Sequence, residues 1–342
     1  MKTLLITGGA GFIGSNFVRY IFKNYPDYKI VVLDSLTYAG NRENIPEGIK
    51  NSKRFQFWYG NLNNLALLDN LVAEVDTVIH FAAETHVARS IFDNRLFYET
   101  DVLGSQSVAN AVLKNLSRVE RFIHISTSEV YGTALTDPMT EKHPLNPTTP
   151  YASAKAGADR LVYSYWKTYN IPAIILRPFN NYGPYQHLEK VIPRFITSAI
   201  LNEPLTIHGD GKNLRDWLFV EDFCRAIDKI MHCNLKKVKG EVINIGSGRE
   251  IDVLTIAHMI LEKMNRPKSL ITHISDRPGQ VKRNISSTEK ANKLLDWRAT
   301  TSFEQGLEKT IEWYQKNQNW WEKMLWMRYV PIVTKNGKME MH

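Results

Sequence analysis

The residues whose types could do chemistry gather in two short runs. In Phe122-Ile-His-Ile-Ser-Thr-Ser-Glu129, apolar positions lead into Ser126, Thr127, Ser128 and Glu129. That is the pattern of a buried parallel strand whose carboxyl end delivers hydroxyls and a carboxylate to one place. Tyr151 and Lys155, four apart in Tyr-Ala-Ser-Ala-Lys, share one helix face, so the ammonium can sit near the phenol and lower its pKa toward neutrality. Such a phenolate can take a proton from a sugar hydroxyl while a nicotinamide takes the hydride. A Glu at the dry end of a strand can be pushed by desolvation into the range of a general base. The candidate catalytic set is Thr127, Ser128, Glu129, Tyr151 and Lys155.

These groups need a scaffold that presents them to a dinucleotide. Lys2 to Thr7 reads as a first strand, and Gly8-Gly-Ala-Gly11-Phe12-Ile13-Gly14 turns it into a helix running to about Asn24. Glycines at 8, 11 and 14 let backbone approach a pyrophosphate at the helix N-terminus. Ile30 to Leu33 reads as a second strand, and Asp34 ends it 20 residues after Gly14. A carboxylate there accepts hydrogen bonds from the adenosine ribose and repels a 2′-phosphate, so NAD is favoured over NADP.

Phe55 to Tyr59, Thr77 to Ala83, Phe122 to Ser126 and Ala173 to Leu176 read as further strands. Helices are expected from about Leu65, from about Asn94 to Asn115, and from Tyr151. The small residues Ala82 and Ala83 allow backbone to lie against the cofactor. Alternating strands and helices give the fold class: α/β, a Rossmann-type doubly wound parallel sheet with a smaller C-terminal α/β substrate-binding lid. Residues 1–178 are expected to form the dinucleotide-binding domain, with a segment near 241–246 returning to the sheet. Residues 179–342 are expected to be mainly lid and a tail holding Trp320, Trp321 and Trp326.

With 342 residues, 43% of them apolar, the chain can bury a full α/β core. No apolar run approaches the roughly 20 residues of a membrane span, and Met1-Lys2-Thr3 leads straight into a strand, so a cytoplasmic protein is expected. The two cysteines, Cys224 and Cys233, form neither a disulfide framework nor a zinc site, and no metal is expected. The formal charge of +8 is scattered, which argues against nucleic acid and fits an anionic small substrate.

Gly8 to Gly14, the Tyr151/Lys155 pair and the Ser126-Thr127 strand end resemble the extended short-chain dehydrogenase/reductases that act on nucleotide sugars. Within that group, segments along nearly the whole chain are similar to dTDP-glucose 4,6-dehydratases: Leu33-Asp-Ser-Leu-Thr-Tyr-Ala-Gly-Asn41, His80 to Ser90, Ser126 to Gly132, Asn180-Asn-Tyr-Gly-Pro-Tyr185, Glu189-Lys-Val-Ile-Pro193, Arg215 to Asp222 and Asp276-Arg-Pro-Gly279. The resemblance implies an NAD reduced and reoxidised within one turnover, held by Gly8, Gly11, Phe12, Ile13, Gly14, Asp34, Asn61, Leu62, Ala82, Ala83, Tyr151 and Lys155. It implies that Tyr151 deprotonates the sugar's 4-hydroxyl, that Thr127 bonds the same oxygen, and that Glu129 removes the C5 proton as the C6 hydroxyl leaves. Thr127, Asn180, Lys190, Arg215, Asn244 and Arg277 are then the candidate contacts to a nucleotide-diphosphate sugar, with His86 and Glu84 on the hexose side.

The chain also departs from that pattern. Ser128 stands where the dTDP-glucose enzymes usually carry an Asp that protonates the departing oxygen, so Ser128 relays through water or Glu129 serves as both base and acid. Asn61 replaces an Asp, Asp101 a customary Asn, Ala88 an Asp, and Gln280-Val281 a His-Asp pair. UDP-glucose and UDP-N-acetylglucosamine stand beside dTDP-glucose as substrates. UDP-glucuronate decarboxylation and nucleotide-sugar 4-epimerisation remain the alternative reactions. The resemblance further implies a homodimer paired through helices around Val102–Leu113 and Tyr151–Tyr165.

Overall fold

In the computed structural model, which describes residues 2–276, 278–333 and 339–341, seven parallel strands form the central sheet. They are β1 (Thr3–Thr7), β2 (Lys29–Asp34), β3 (Phe55–Tyr59), β4 (Thr77–His80), β5 (Arg121–Ile125), β6 (Ala173–Pro178) and the late strand Val242–Ile245. Their order is Val242–Ile245, β6, β5, β4, β1, β2, β3. The winding direction reverses between β1 and β4, so a crevice opens beyond their carboxyl ends, where doubly wound sheets bind ligands.

Alternation along β1 builds two cores. Leu4 and Ile6 face the Phe12–Asn24 helix and pack with Phe17, Val18 and Ile21, while Leu5 faces Leu68, Val72, Val108 and Val112 on the opposite face. Each fully buried aliphatic side chain stabilises the fold by about 1.5–3 kcal/mol relative to exposure. Both faces are covered over the inner strands, which explains why these read as apolar runs rather than as alternating ones; the edge strand β3 is the exception, with Trp58 and Tyr59 exposed.

Three features differ from the sequence expectation. The fourth strand stops at His80, and Phe81 to Thr85 continue as irregular backbone into the crevice. The expected helix of residues 94–115 is a continuous helical run with a π-helical turn at Tyr98–Leu103 inside it. The helix Val220–His232 lies beyond residue 178, yet Phe223, Ile227 and Ile230 pack with Phe17 and Ile21 on the sheet, joined by Ala291, Leu295 and Trp297.

The remaining C-terminal residues form the cover over the crevice. Leu214–Phe219 pairs antiparallel with Glu250–Asp252 and parallel with Asn180–Tyr182 and Arg283–Asn284. Beneath lies a separate core of Ile192, Phe195, Ile196, Ile256, Ile260, Ile311 and Tyr314 that also takes in Trp320 and Trp321. Trp326 stays exposed. Among the described residues, no helix is long and apolar enough to cross a membrane and no His, Cys or carboxylate cluster could hold a metal.

Candidate active site

A cavity of about 480 Å³ runs along the carboxyl edge of the sheet beneath this cover. One wall is the glycine turn. Gly8 has φ +70°, and a Cβ there would meet the Ala82 backbone nitrogen at 2.6 Å, so only glycine lets the two chain segments close on each other. The Phe12–Asn24 helix opens at Gly11 without a side-chain cap and with no acidic residue in its first turn. Its leading N–H groups are therefore open to an anion.

Asp34 ends β2 at the same wall. Its carboxylate accepts from the Ala10 N–H at 2.9 Å and the Leu36 N–H at 2.8 Å. Burial raises its pKa, and those two N–H bonds oppose the rise. Asn61 accepts from the Asn63 N–H at 2.9 Å, and Asn64 caps the helix beginning at Leu65. Gly8, Gly11, Phe12, Ile13, Gly14, Asp34, Asn61, Leu62, Ala82 and Ala83 all line the cavity. A cradle that a Cβ would fill, an uncapped helix start and a strand-end carboxylate fit a dinucleotide.

The reactive wall lies across β5 and the helix Pro150–Tyr169. Thr149 caps that helix by accepting from the Ala152 N–H at 3.2 Å, and Pro150 occupies the first turn. This start pre-sets the backbone before Tyr151. Tyr151 and Lys155 follow on the inward face, 7% and 3% exposed, and both line the cavity with Thr127 and Glu129. Thr127 lies beside the Tyr151 phenol, and its hydroxyl accepts from the Glu129 N–H at 3.2 Å. One threonine thus neighbours the phenol and fixes the start of the turn carrying the carboxylate.

The electrostatics correct one sequence expectation. Burial, with Asp101 and Glu129 nearby, holds the Tyr151 phenol above its ordinary pKa, and the Thr127 hydroxyl is what opposes the rise. Lys155 donates to the Ile125 carbonyl at 2.8 Å. Burial lowers its pKa, while the charges of Asp101 and Asp159 favour its ammonium form. Its charge is thus answered by carboxylates more than by the phenol. Asp101, wholly buried on the π-helical turn, is pushed up to about 7 by burial, against the pull of Lys155.

Two expected site residues stand elsewhere. Ser128 is 2% exposed and does not line the cavity; its hydroxyl accepts from Asn284 Nδ2 at 3.3 Å, under the cover. The backbone leaves its extended path after Thr127 and enters a 3-10 turn, which turns Ser128 away from the crevice while Glu129 remains on it. Asn244 is also enclosed, accepting from the Tyr131 hydroxyl at 2.7 Å and donating to the Met139 carbonyl at 3.0 Å. It belongs to the protein's own framework.

Asn180, Lys190 and Arg215 do line the cavity. Lys190 donates to the Thr85 carbonyl at 2.9 Å, and Arg215 to the Leu214 carbonyl at 2.9 Å. Arg277 lies outside the described residues. Glu84 and His86 are on the same stretch of wall.

Sequence reasoning passed over Glu189 as a site residue, although its segment was part of the resemblance. Its fully enclosed carboxylate accepts from the Tyr38 hydroxyl at 2.9 Å, with Arg89 at 3.5 Å, Lys190 at 3.5 Å and His86 at 3.7 Å. Burial opposes its ionisation, but His86, Lys190 and His187 outweigh it and hold the pKa below the ordinary value. The signal was a Glu-Lys pair ahead of an apolar helix; the groups that gather round it come from distant segments.

Comparison with known proteins gives this geometry its relatives. The family model for GDP-mannose 4,6 dehydratase matches residues 5–310. The chain is 44% identical over 311 residues to the low-salt glycan biosynthesis protein Agl12 of Haloferax volcanii, covering 91% of this chain and 98% of that one. It is 39% identical over 325 residues to a dTDP-glucose 4,6-dehydratase of Streptomyces niveus, covering 94% and 95%. The dTDP-glucose 4,6-dehydratase DesIV of Streptomyces venezuelae, solved with NAD bound, superposes with a TM-score of 0.90 at 40% identity over 94% of this chain and 99% of that one. The chain belongs to the GDP-mannose 4,6 dehydratase family, among the extended short-chain dehydrogenase/reductases.

Proposed function

We propose that the protein is an NAD-dependent nucleotide-sugar 4,6-dehydratase that acts on dTDP-glucose or a close UDP-hexose and forms the 4-keto-6-deoxy sugar. The observation that carries this reading is the shared cavity: Thr127, Glu129, Tyr151 and Lys155 line the same space as the Gly8–Gly14 turn and Asp34. NAD would be held along that wall by the Gly8–Gly14 turn and Asp34 and would supply a hydride acceptor for C4 and, once reduced, a hydride donor for C6.

Tyr151 takes the proton of the 4-hydroxyl while Thr127 holds the same oxygen. With C4 a ketone, the C5 proton is acidic and Glu129 removes it. Ser128 is enclosed under the cover, so Glu129 also hands that proton to the departing C6 hydroxyl, which leaves as water; as C6 then gains hydride, C5 takes a proton from solvent by way of Glu129. Lys155 keeps a positive charge beneath the phenol, anchored on the Ile125 carbonyl. Asn180, Lys190 and Arg215 hold the sugar and diphosphate, the guanidinium of Arg215 being suited to phosphate oxygens.

The test is incubation with dTDP-glucose, UDP-glucose, UDP-N-acetylglucosamine and UDP-glucuronate, followed by mass spectrometry. A product lighter by one water from at least one hexose, without net consumption of NAD, is expected. Loss of carbon dioxide from UDP-glucuronate alone overturns the reading in favour of decarboxylation.

A homodimer accompanies this reading. Leu96, Tyr98 and Leu103 are exposed on the helical run of residues 95–114, and Leu161 and Tyr165 are only half-buried on the neighbouring helix. Pairing these faces would cover apolar side chains that solvent now meets. Light scattering that returns a monomer mass at micromolar concentration contradicts the pairing.

A further inference from the structure

Asp101 is the least expected group near the reactive wall. Its side chain is wholly buried. One carboxylate oxygen accepts from the Glu84 N–H at 2.8 Å, and the other has no hydrogen-bond partner. An ionised carboxylate left half-satisfied in the interior is costly unless a charge answers it. It sits in the middle of the π-helical turn Tyr98–Leu103, a local departure from the α-helix of the kind often found at functional sites.

The groups around it come from every packed neighbour. The helix Pro150–Tyr169 packs directly on the Tyr98–Leu103 turn, with Tyr151 and Ala154 against Phe97 and Val102, and brings Lys155 and Tyr151 within electrostatic reach of Asp101. The irregular segment after β4 contributes Glu84, itself raised by burial. Behind Lys155 lie His80, pushed by burial to about 3, and His124, also pushed down, so both are neutral. Glu99 on the same helical run is engaged with Arg95 at 2.7 Å. Asp159, the other carboxylate acting on Lys155, is bound to Arg177. Asp101 is therefore the carboxylate near Lys155 whose own charge is not already matched by an arginine.

We infer that Asp101 is a positioning residue for the reaction: its carboxylate is the buried counter-charge of Lys155 and, through the field it adds, sets the pH at which Tyr151 becomes a base. This rests on the assignment of Tyr151 as the phenol that deprotonates the sugar. When Asp101 is ionised, it favours the Lys155 ammonium and disfavours the Tyr151 phenolate. When it is neutral, both effects vanish. Its upward-shifted pKa, set by burial, brings that change within reach of working pH.

The test is an ultraviolet difference titration of the NAD-loaded enzyme. The Tyr151 phenolate signal is isolated by subtracting the Tyr151→Phe variant, in both the native and the Asp101→Asn backgrounds. An amide oxygen can still accept from the Glu84 N–H, and NAD content and melting temperature report whether the fold is kept. Asp101→Asn is expected to move the phenol's midpoint to lower pH; an unchanged or higher midpoint overturns the inference. Glu84→Gln serves as the second variant. It leaves Asp101 in place but removes a negative neighbour that raises its pKa, so Asp101 should ionise at lower pH and the rise it imposes on the phenol should begin correspondingly earlier. A phenol titration curve unaltered in shape by Glu84→Gln also overturns the inference. Because the titration uses no sugar substrate, absence of turnover with every nucleotide sugar would count against the proposed function and not against this one.

Discussion

A buried chain of polar side chains stands behind the catalytic strand. Arg177 grips Asp159 with two hydrogen bonds of 2.8 and 2.9 Å, Ser126 donates to the same carboxylate at 2.7 Å, and Arg177 donates to the Tyr131 hydroxyl, which donates to Asn244. Ser126 precedes Thr127, so this network braces the strand end from below. Burial works against ionisation of Asp159, but Arg177, Arg160 and Ser126 prevail and hold its pKa below the usual carboxylate range. Its contribution to stability is then present above the unfolded value of about 4 and is lost as pH falls through that value toward the depressed folded one. Asp159→Ala is expected to cost about 3–5 kcal/mol, because it strands a buried guanidinium. Urea unfolding at neutral pH measures this, and the difference from wild type should narrow in acid. At the carboxylate proposed as the base, Glu129→Gln is expected to stop water loss while leaving partial reduction of bound NAD in a single turnover; undiminished product formation would remove its role. The Tyr151 and Lys155 positions were legible because four-residue spacing on a helix places side chains on one face wherever the helix sits. Ser128 was not, since which way a side chain points after a strand ends depends on a turn that no local periodicity reports; Asn244 was not, since the groups that enclose it inside the strand Val242–Ile245, Tyr131 and Met139, come from distant segments.

The elements that aim these residues depend on a few backbone positions. Gly8→Ala meets both a left-handed backbone and the Ala82 nitrogen, so the glycine turn must move away from Ala82. The expected outcome is folded protein purified with most of its NAD missing, read from the absorbance of the released cofactor. Thr149→Ala removes the cap of the Tyr151 helix and is expected to cost about 1 kcal/mol. The first helical turn carries Tyr151, so kcat should fall more than that loss of stability alone would cause. Strand and helix alternation was readable because both sheet faces are covered over the inner strands, which are apolar runs. The π-helical turn was not, because Tyr98–Leu103 carries no proline, glycine or other sequence mark of a distorted helix. Packing of that run against the Tyr151 helix decides its conformation.

Across the whole molecule, the segment beyond the family match ties the cover to the cofactor wall. Trp320 packs in the cover's core, and its Nε1–H donates to Asn44 Oδ1 at 2.9 Å; Asn44 Nδ2 donates to the Ala10 carbonyl at 2.8 Å; and the Ala10 N–H donates to Asp34. Farther on, Val330 reaches the cavity wall and packs on Ala88. Trp320→Phe keeps most of the apolar volume but leaves the buried Asn44 oxygen without its donor, a change expected to cost about 1–3 kcal/mol. Faster loss of NAD on dilution should accompany it. Where the tail docks was not legible, because tryptophans among charges specify burial without specifying a partner. The same holds for Val220–His232: only the assembled fold shows that it covers the main sheet.

The central claim is that hydride leaves C4 and returns to C6 of the same sugar while Glu129 works on the bond between them. It is tested most directly with a hexose nucleotide bearing deuterium at C4, with the product analysed by mass spectrometry and NMR. The account predicts deuterium at C6 of the 4-keto-6-deoxy product, with little in released cofactor. Deuterium recovered at C4 of an epimer, or in reduced NAD that leaves the enzyme at every turnover, would contradict it.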